Sequence, residues 1–210
     1  MMYNHVNTRI ITGVYGGSFN PIHVGHTAMA ERLVSTGMVD ELWLVVSPQN
    51  PLKCSDCLWD DGLRLELARL AVSGIGGVEV SDIEFGLPRP NYMADTLQAL
   101  SRRYPEREFV LVVGWDNWAI FERWYHWQEI LGSYRVIVLP RSQQGGDSLG
   151  QIGSVERGGD VRFAQFPLVD MSSTWIRHQI VTNPHYDGLG LKDEVWRRIK
   201  HAKEQGISDI

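Results

Sequence analysis

Cysteine is scarce: only Cys54 and Cys57 occur, in the stretch KCSDC. A lone C-x-x-C is either redox-active or half of a zinc site. The second pair that would complete a zinc site is missing. Nor does the segment open a helix straight after a strand, as a thioredoxin-like motif does. The two thiols therefore read as incidental side chains on a polar loop. Positive charge is also in short supply. Lysine and arginine total 20 against 25 aspartates and glutamates, a formal net charge of −5. This argues against non-specific nucleic-acid binding through a basic surface. An anion can still be bound, but only by a local arrangement of donors. No apolar run approaches the roughly 18 residues of a membrane helix. The start, MMYNHVNTR, has neither the basic beginning nor the apolar stretch of a signal peptide. A cytoplasmic location with no membrane partner is the default expectation. Internal repeats and linkers are missing as well, and 210 residues suit one domain, 1–210, with a sizeable core.

Tryptophan, by contrast, is plentiful. Trp115, Trp118, Trp124 and Trp127, half of the eight, fall within thirteen residues. Apolar runs of strand length recur with helical patterns between them. Strands are expected at 9–15, 41–46, 108–114 and 134–140, with one beginning at 78–85 and a weaker one at 161–166. Helical spacing runs from Val24 to Ser35, with Gly37 as its C-cap. It recurs over Leu63, Leu67, Leu70 and Ala71 up to Gly74, and from Asp95 to Arg103 ahead of Pro105. Two closing helices follow, in SSTWIRHQI and over Leu191, Val195 and Ile199. The stretch QQGGDSLGQIGSVERGG (143–159) reads as a polar surface loop. Near-continuous apolar strands alternating with helices imply an α/β fold. Its sheet is doubly wound, Rossmann-like and parallel, with helices on both faces. Ligands then bind outside the carboxyl ends of the strands.

After the first strand comes GGSFNPIHVGH (16–26). Gly16 and Gly17 let a ligand approach the backbone. Asn20-Pro21 suits a helix start, with Pro21 near the first helical position. His23 and His26 then share one face close to the free amides and positive end of a helix. Gly25 between them keeps access open. A metal site would need further ligands, and the nearest carboxylate is Glu31, five residues after His26. Two hydrogen-bonded histidines on a capped helix would be the bland alternative. The union of Gly-Gly, Asn-Pro and Gly25 in one strand–turn–helix unit points instead to a phosphate grip. It is neither G-K-[ST] nor G-x-G-x-x-G, so the two usual glycine-rich loops are excluded. In MSSTWIR (171–177), Ser172 or Ser173 can cap a helix on which Thr174 and Arg177 share a face. A guanidinium there can take two phosphate oxygens at once. Asp116 closes a strand, where a carboxylate can accept from ribose hydroxyls or cap the next helix.

GGSFNPIHVGH resembles the first motif of the H-x-G-H nucleotidyltransferase superfamily, and its fuller pattern is similar to that of nicotinate-nucleotide adenylyltransferases. Four further stretches match that family in order: SPQNPLK (47–53), NYMADTL (91–97), GWDNWAIFERWYHWQEI (114–130) and MSSTWIR. The resemblance covers residues 9 to about 181. It implies AMP transfer from ATP to nicotinate mononucleotide, with Mg²⁺ carried on ATP. His23, His26 and Arg177 are the catalytic set it implies. Gly16, Gly17, Ser18, Phe19, Gly25, Gly114, Asp116, Ser173 and Thr174 would hold ATP. Lys53, Tyr92, Met93, Asp95, Thr96 and Trp124 would hold the mononucleotide, with the Trp124 face as a platform for the pyridine ring. Trp118, Phe121, Trp127 and Ile130 read as core. No protein-held metal is implied, and oligomeric state is left open. Met93 departs from the family's threonine, which removes a side-chain hydroxyl at that place and leaves the choice between acid and amide open. The alternatives are a sister adenylyltransferase, acting on nicotinamide mononucleotide or phosphopantetheine, and a non-catalytic nucleotide-binding regulator.

Overall fold

The apolar runs form six strands: β1 (Ile10–Gly17), β2 (Glu41–Val46), β3 (Val78–Ser81), β4 (Arg107–Gly114), β5 (Arg135–Leu139) and β6 (Val161–Phe163). Between and after them lie α1 (Val24–Ser35), α2 (Asp61–Val72), α3 (Met93–Arg103), α4 (Trp115–Ala119), α5 (Trp127–Ser133), α6 (Ser173–Thr182) and α7 (Asp193–Glu204). This computed structural model describes residues 9–49, 58–140, 158–183 and 190–206. Lys53, Cys54, Cys57 and residues 143–157 of the glycine-rich stretch lie outside the described residues.

Every strand pairing is parallel, in the order β3-β2-β1-β4-β5-β6. Successive side chains of a strand point to opposite faces, and both faces here are apolar. From β4, Val110 and Val112 enter one core, while Phe109, Leu111 and Val113 enter the other. From β2, Leu42, Leu44 and Val46 face the first core and Trp43 and Val45 the second. The first core is closed by α1, α2, α6 and α7 through residues such as Leu33, Leu67, Ile176 and Ile199. The second is closed by α3 and α5, through Leu97, Leu100 and Ile130, and by Trp118 and Phe121. Burial on both faces is why these strands read as continuous apolar runs rather than alternating ones.

Two strands are shorter than the sequence implies. The β3 strand ends at Ser81, and Ile83–Gly86 forms a 3₁₀ turn that carries the buried Glu84. The β6 strand ends at Phe163, and its exposed Arg162 and Phe163 mark it as the sheet edge. The strand order reverses direction between β1 and β4. Loops leaving these two neighbours diverge, and a crevice opens at their carboxyl ends.

Candidate active site

At that crevice lies a cleft of about 960 Å³. The end of β1 supplies Gly16 and Gly17, the turn after it Ser18 and Phe19, and the start of α1 His23, Gly25 and His26. The end of β4 adds Gly114, the start of α4 adds Asp116, and α6 adds Ser173, Thr174 and Arg177. The catalytic and ATP-side residues expected from the sequence thus share one cleft. Leu168, Val169 and Asp170, which sequence reasoning passed over, line it too, beside Met171. Their only signal was their place directly before MSSTWIR.

Pro21 does not open the helix. The α1 helix begins at Val24, and His23 is its N-cap with extended backbone, φ −150° and ψ 174°. The reason is local. His23 Nδ1 accepts from the Gly25 amide at 3.2 Å, and His26 Nδ1 accepts from the His23 amide at 3.3 Å. Two histidines therefore build a reciprocal capping box, with imidazoles in the places usually held by a hydroxyl and a carboxylate. Gly25 permits this. A Cβ there would stand 3.0 Å from the His23 ring and 3.2 Å from the Val169 carbonyl oxygen.

The caps also set the tautomers. An imidazole that accepts at Nδ1 and stays neutral must carry its hydrogen on Nε2. His23 is 6% exposed, and burial pulls its pKa down to about 4. The His23 and His26 rings lie 3.8 Å apart at 36°, which disfavours two positive charges side by side. Nδ1 of each ring is taken up as an acceptor, which leaves Nε2 as the position that can donate. Ring ¹⁵N NMR should show His23 neutral, with hydrogen on Nε2, from pH 5.5 to 8; a midpoint near the ordinary histidine value would contradict this.

The stability linkage has a definite sign. The unfolded chain binds the His23 proton more readily than the folded one. The His23 contribution is complete above about pH 6.5 and is lost as pH falls toward 4, a change of about 3 kcal/mol. Buried Glu84 works the other way. Burial raises its pKa, against the hydrogen bond from Thr96, so its contribution is present at low pH and lost as pH rises. Resolving the ring signals separates the two effects.

The second anion-binding element meets the first through the β1 turn. Ser172 caps α6, accepting from the Trp175 amide at 3.4 Å. Ser173 Oγ donates to the Pro21 carbonyl at 2.9 Å. Arg177 Nη1 donates to the Asn20 carbonyl at 2.7 Å, and Nη2 to Thr174 Oγ1 at 3.3 Å. The guanidinium is thereby oriented, with further N–H groups in the same plane. Asp116 and Asp170 are carboxylates on the cleft lining. Such groups suit ribose hydroxyls rather than phosphate.

The expected mononucleotide residues are gathered less tightly, and none of those described lines this cleft. The Tyr92 ring packs on Tyr125 at 4.6 Å. Met93 Cε occupies the space that a side chain on Gly16 would need, which ties α3 to the cleft floor. Asp95 is exposed. Thr96 is fully buried, and its hydroxyl donates to Glu84 at 2.8 Å. Trp124 is half-buried and packs on Phe121 at 5.1 Å. Among the other positions of that segment, Trp118, Phe121 and Ile130 are core as expected, and Trp127 packs against that core.

Comparison with known proteins agrees with this geometry. The model of the Cytidylyltransferase-like family matches residues 14–179. A protein of Bacteroides thetaiotaomicron named "Probable nicotinate-nucleotide adenylyltransferase" is 41% identical over 97% of this chain and 97% of its own. A protein of the same name from Bacteroides fragilis is 43% identical over 81% of this chain and 82% of its own. Plasmodium falciparum nicotinic acid mononucleotide adenylyltransferase complexed with NaAD shares the fold, with a TM-score of 0.74 at 15% identity, covering 92% of this chain and 96% of that one. With the H-x-G-H helix, the S-S-T-x-I-R helix and this likeness over nearly its whole length, the chain belongs to the nicotinate-nucleotide adenylyltransferase family of cytidylyltransferase-like enzymes.

Proposed function

We propose that this enzyme transfers AMP from ATP to nicotinate mononucleotide, giving deamido-NAD and pyrophosphate, in the cytoplasm. One observation carries the chemistry: two donor helices, α1 with its paired histidines and α6 with Arg177, converge on one cleft at the β1–β4 switch point. That arrangement suits a polyphosphate held from two sides. A phosphate oxygen of the mononucleotide attacks the α-phosphorus in line. The bond from that phosphorus to the bridging oxygen breaks, and pyrophosphate leaves with the bonding pair. No covalent enzyme intermediate is needed. Positioning and charge stabilisation then supply the rate.

His23 and His26 donate through Nε2 to α- and β-phosphate oxygens. Backbone amides of Gly17 to Phe19, together with Gly16 and Gly25 as open backbone, surround the same phosphates. Ser173, Thr174 and Arg177 take the oxygens of the departing pyrophosphate. Gly114 and Asp116 meet the ribose. Mg²⁺ enters with ATP as part of the substrate, held by phosphate oxygens and water. On the acceptor side, Tyr92, Met93 and Asp95 at the start of α3, Lys53 beyond β2 and the Trp124 ring form the mononucleotide site. Thr96 serves that site through Glu84, by fixing α3. Met93 carries no hydroxyl, so any contact with the nicotinate carboxylate at this place is made by backbone N–H groups.

Pyrophosphate release tests the proposal directly. With ATP and Mg²⁺, nicotinate mononucleotide should support release. Nicotinamide mononucleotide should support at least about tenfold less, the scale of discrimination that one polar group supplies. Phosphopantetheine should support none. Equal rates with acid and amide would remove the acid preference. Release with phosphopantetheine alone would move the acceptor assignment to a sister reaction, and binding of ATP with no release would point to a regulator.

A further inference from the structure

One fully buried side chain carries a charge and touches no substrate in the chemistry above. Arg64, on α2, is 0% exposed. Its Nε donates to the Trp59 carbonyl at 3.0 Å, and its Nη1 donates to the carbonyls of Ser18 at 2.6 Å and Ser47 at 2.9 Å. Its Nη2 donates to the Pro48 carbonyl at 3.3 Å and pairs with Asp61 at 2.5 Å. Arg89, just before the Asn91–Leu97 stretch, pairs with the other oxygen of Asp61 at 2.9 Å. The Asn91 amide in turn donates to the Gln49 carbonyl at 3.4 Å. Arg64 is thus the hub where the turn after β1 meets the loop after β2, with the start of α3 attached.

The Ser18 contact has a directional consequence. In a trans peptide the C=O and N–H point opposite ways. Pinning the Ser18 oxygen to a buried guanidinium turns the Phe19 N–H away from it. Phe19 lines the cleft and holds a positive φ of 44°, a conformation a non-glycine residue keeps only where its surroundings enforce it. Asn20, the next residue, is held from the cleft side by Arg177. Two guanidiniums therefore fix two peptide groups of one turn, 18–19 and 20–21, on either side of the Phe19–Asn20 peptide.

Burial of an ionised side chain costs several kcal/mol even when paired, and an apolar residue of similar size is often as stable in its place. Packing alone does not explain an arginine here. The planar fork does: its donors meet four carbonyls and a carboxylate, which the three donors of a lysine cannot span. We propose that Arg64 is a positioning residue for AMP transfer, aiming the Phe19 amide at the phosphates and setting the distance between the β1 turn and the β2 loop. This rests on the proposal above that the β1 turn holds the phosphates of ATP.

The test uses Arg64→Lys and Arg64→Ala in the full chain, assayed with whichever acceptor drives pyrophosphate release in the unmodified enzyme. A wrong choice of acceptor then overturns the earlier reading and leaves this one measurable. Both variants are first checked by circular dichroism at the assay temperature. The expected result is a folded Arg64→Lys protein with kcat lowered about 10- to 100-fold, the range for reacting groups displaced by about 1 Å, and with both KM values changed less than about threefold. Guanidinium ion at tens of millimolar should restore kcat in Arg64→Ala, and methylammonium should not, because only the planar ion fills the fork. A folded Arg64→Lys with unchanged kcat would overturn the proposal. So would a loss that follows the unfolded fraction, or unfolding of both variants, since Arg64 would then serve the fold alone.

Discussion

Replacing His26 by alanine should lower kcat by about 10²–10³ while the protein stays folded, the usual cost of losing one preorganised donor to a developing charge. The structure separates the two roles of this ring. Its Nδ1 caps α1 by accepting from the His23 amide. Losing such a cap costs about 1 kcal/mol, a small part of the roughly 5–15 kcal/mol that holds a domain together. The rate loss is equivalent to about 3–4 kcal/mol, so unfolding does not account for it. The other face of the ring packs edge-on against Phe19 at 5.1 Å, which fixes its plane. In the proposed reaction the α-phosphate gains a fifth oxygen, and the His26 Nε2–H would donate more strongly to that crowded group than to ATP at rest. The loss should therefore fall on kcat with KM for ATP little changed. Initial rates of pyrophosphate release across ATP concentrations, beside a thermal melt, are the measurement. A kcat close to that of the unmodified enzyme would take His26 out of the catalytic set.

The sheet was legible because its strands are buried on both faces and so appear as unbroken apolar runs. Leu42 to Val46 and Phe109 to Val113 needed no partner to be recognised. The lining of the cleft was legible because it is local: a glycine turn, a helix start and a second capped helix are each readable within about ten residues. What bridges those pieces was not. Arg64 sits in LRLEL as one more polar position of an amphipathic helix. It is buried only because carbonyls from two distant loops end beside it. Glu84 was hidden inside an apparent strand, since nothing in VEVSDIEF shows that the chain turns at Asp82. The cap of α1 was assigned to Asn20-Pro21 because those residue types start helices more often than histidine does. Trp124 and Thr96 show the opposite limit. Their residue types fit the chemistry, but their side chains pack on Phe121 and Glu84, one contact set by the turn at Phe121–Arg123 and the other by where α3 lies against the 83–86 turn.

Replacing Arg177 by methionine should lower kcat/KM for ATP by about 10²-fold, with KM raised as well as kcat lowered. The expected pattern differs from that of His26 because the charge differs. In the proposed reaction His26 donates more strongly as charge develops, whereas the Arg177 guanidinium would meet the β- and γ-phosphates at rest. It would then meet pyrophosphate as the leaving group gains charge, so both binding and turnover should depend on it. Methionine keeps most of the length and apolar character of the stem, so a rate loss reports the guanidinium. Lysine in the same place gives the sharper comparison. Arg177 spends one N–H on the Asn20 carbonyl and one on Thr174 and presents the rest of its fork in a fixed plane. A lysine ammonium keeps the charge but cannot hold Asn20 and take two phosphate oxygens in one geometry. Arg177→Lys should therefore recover the KM for ATP more fully than kcat. Full recovery of both by lysine would show that charge alone is needed. A kcat/KM in Arg177→Met within about threefold of the unmodified enzyme would place Arg177 outside the reaction and leave α6 as a structural support for the β1 turn.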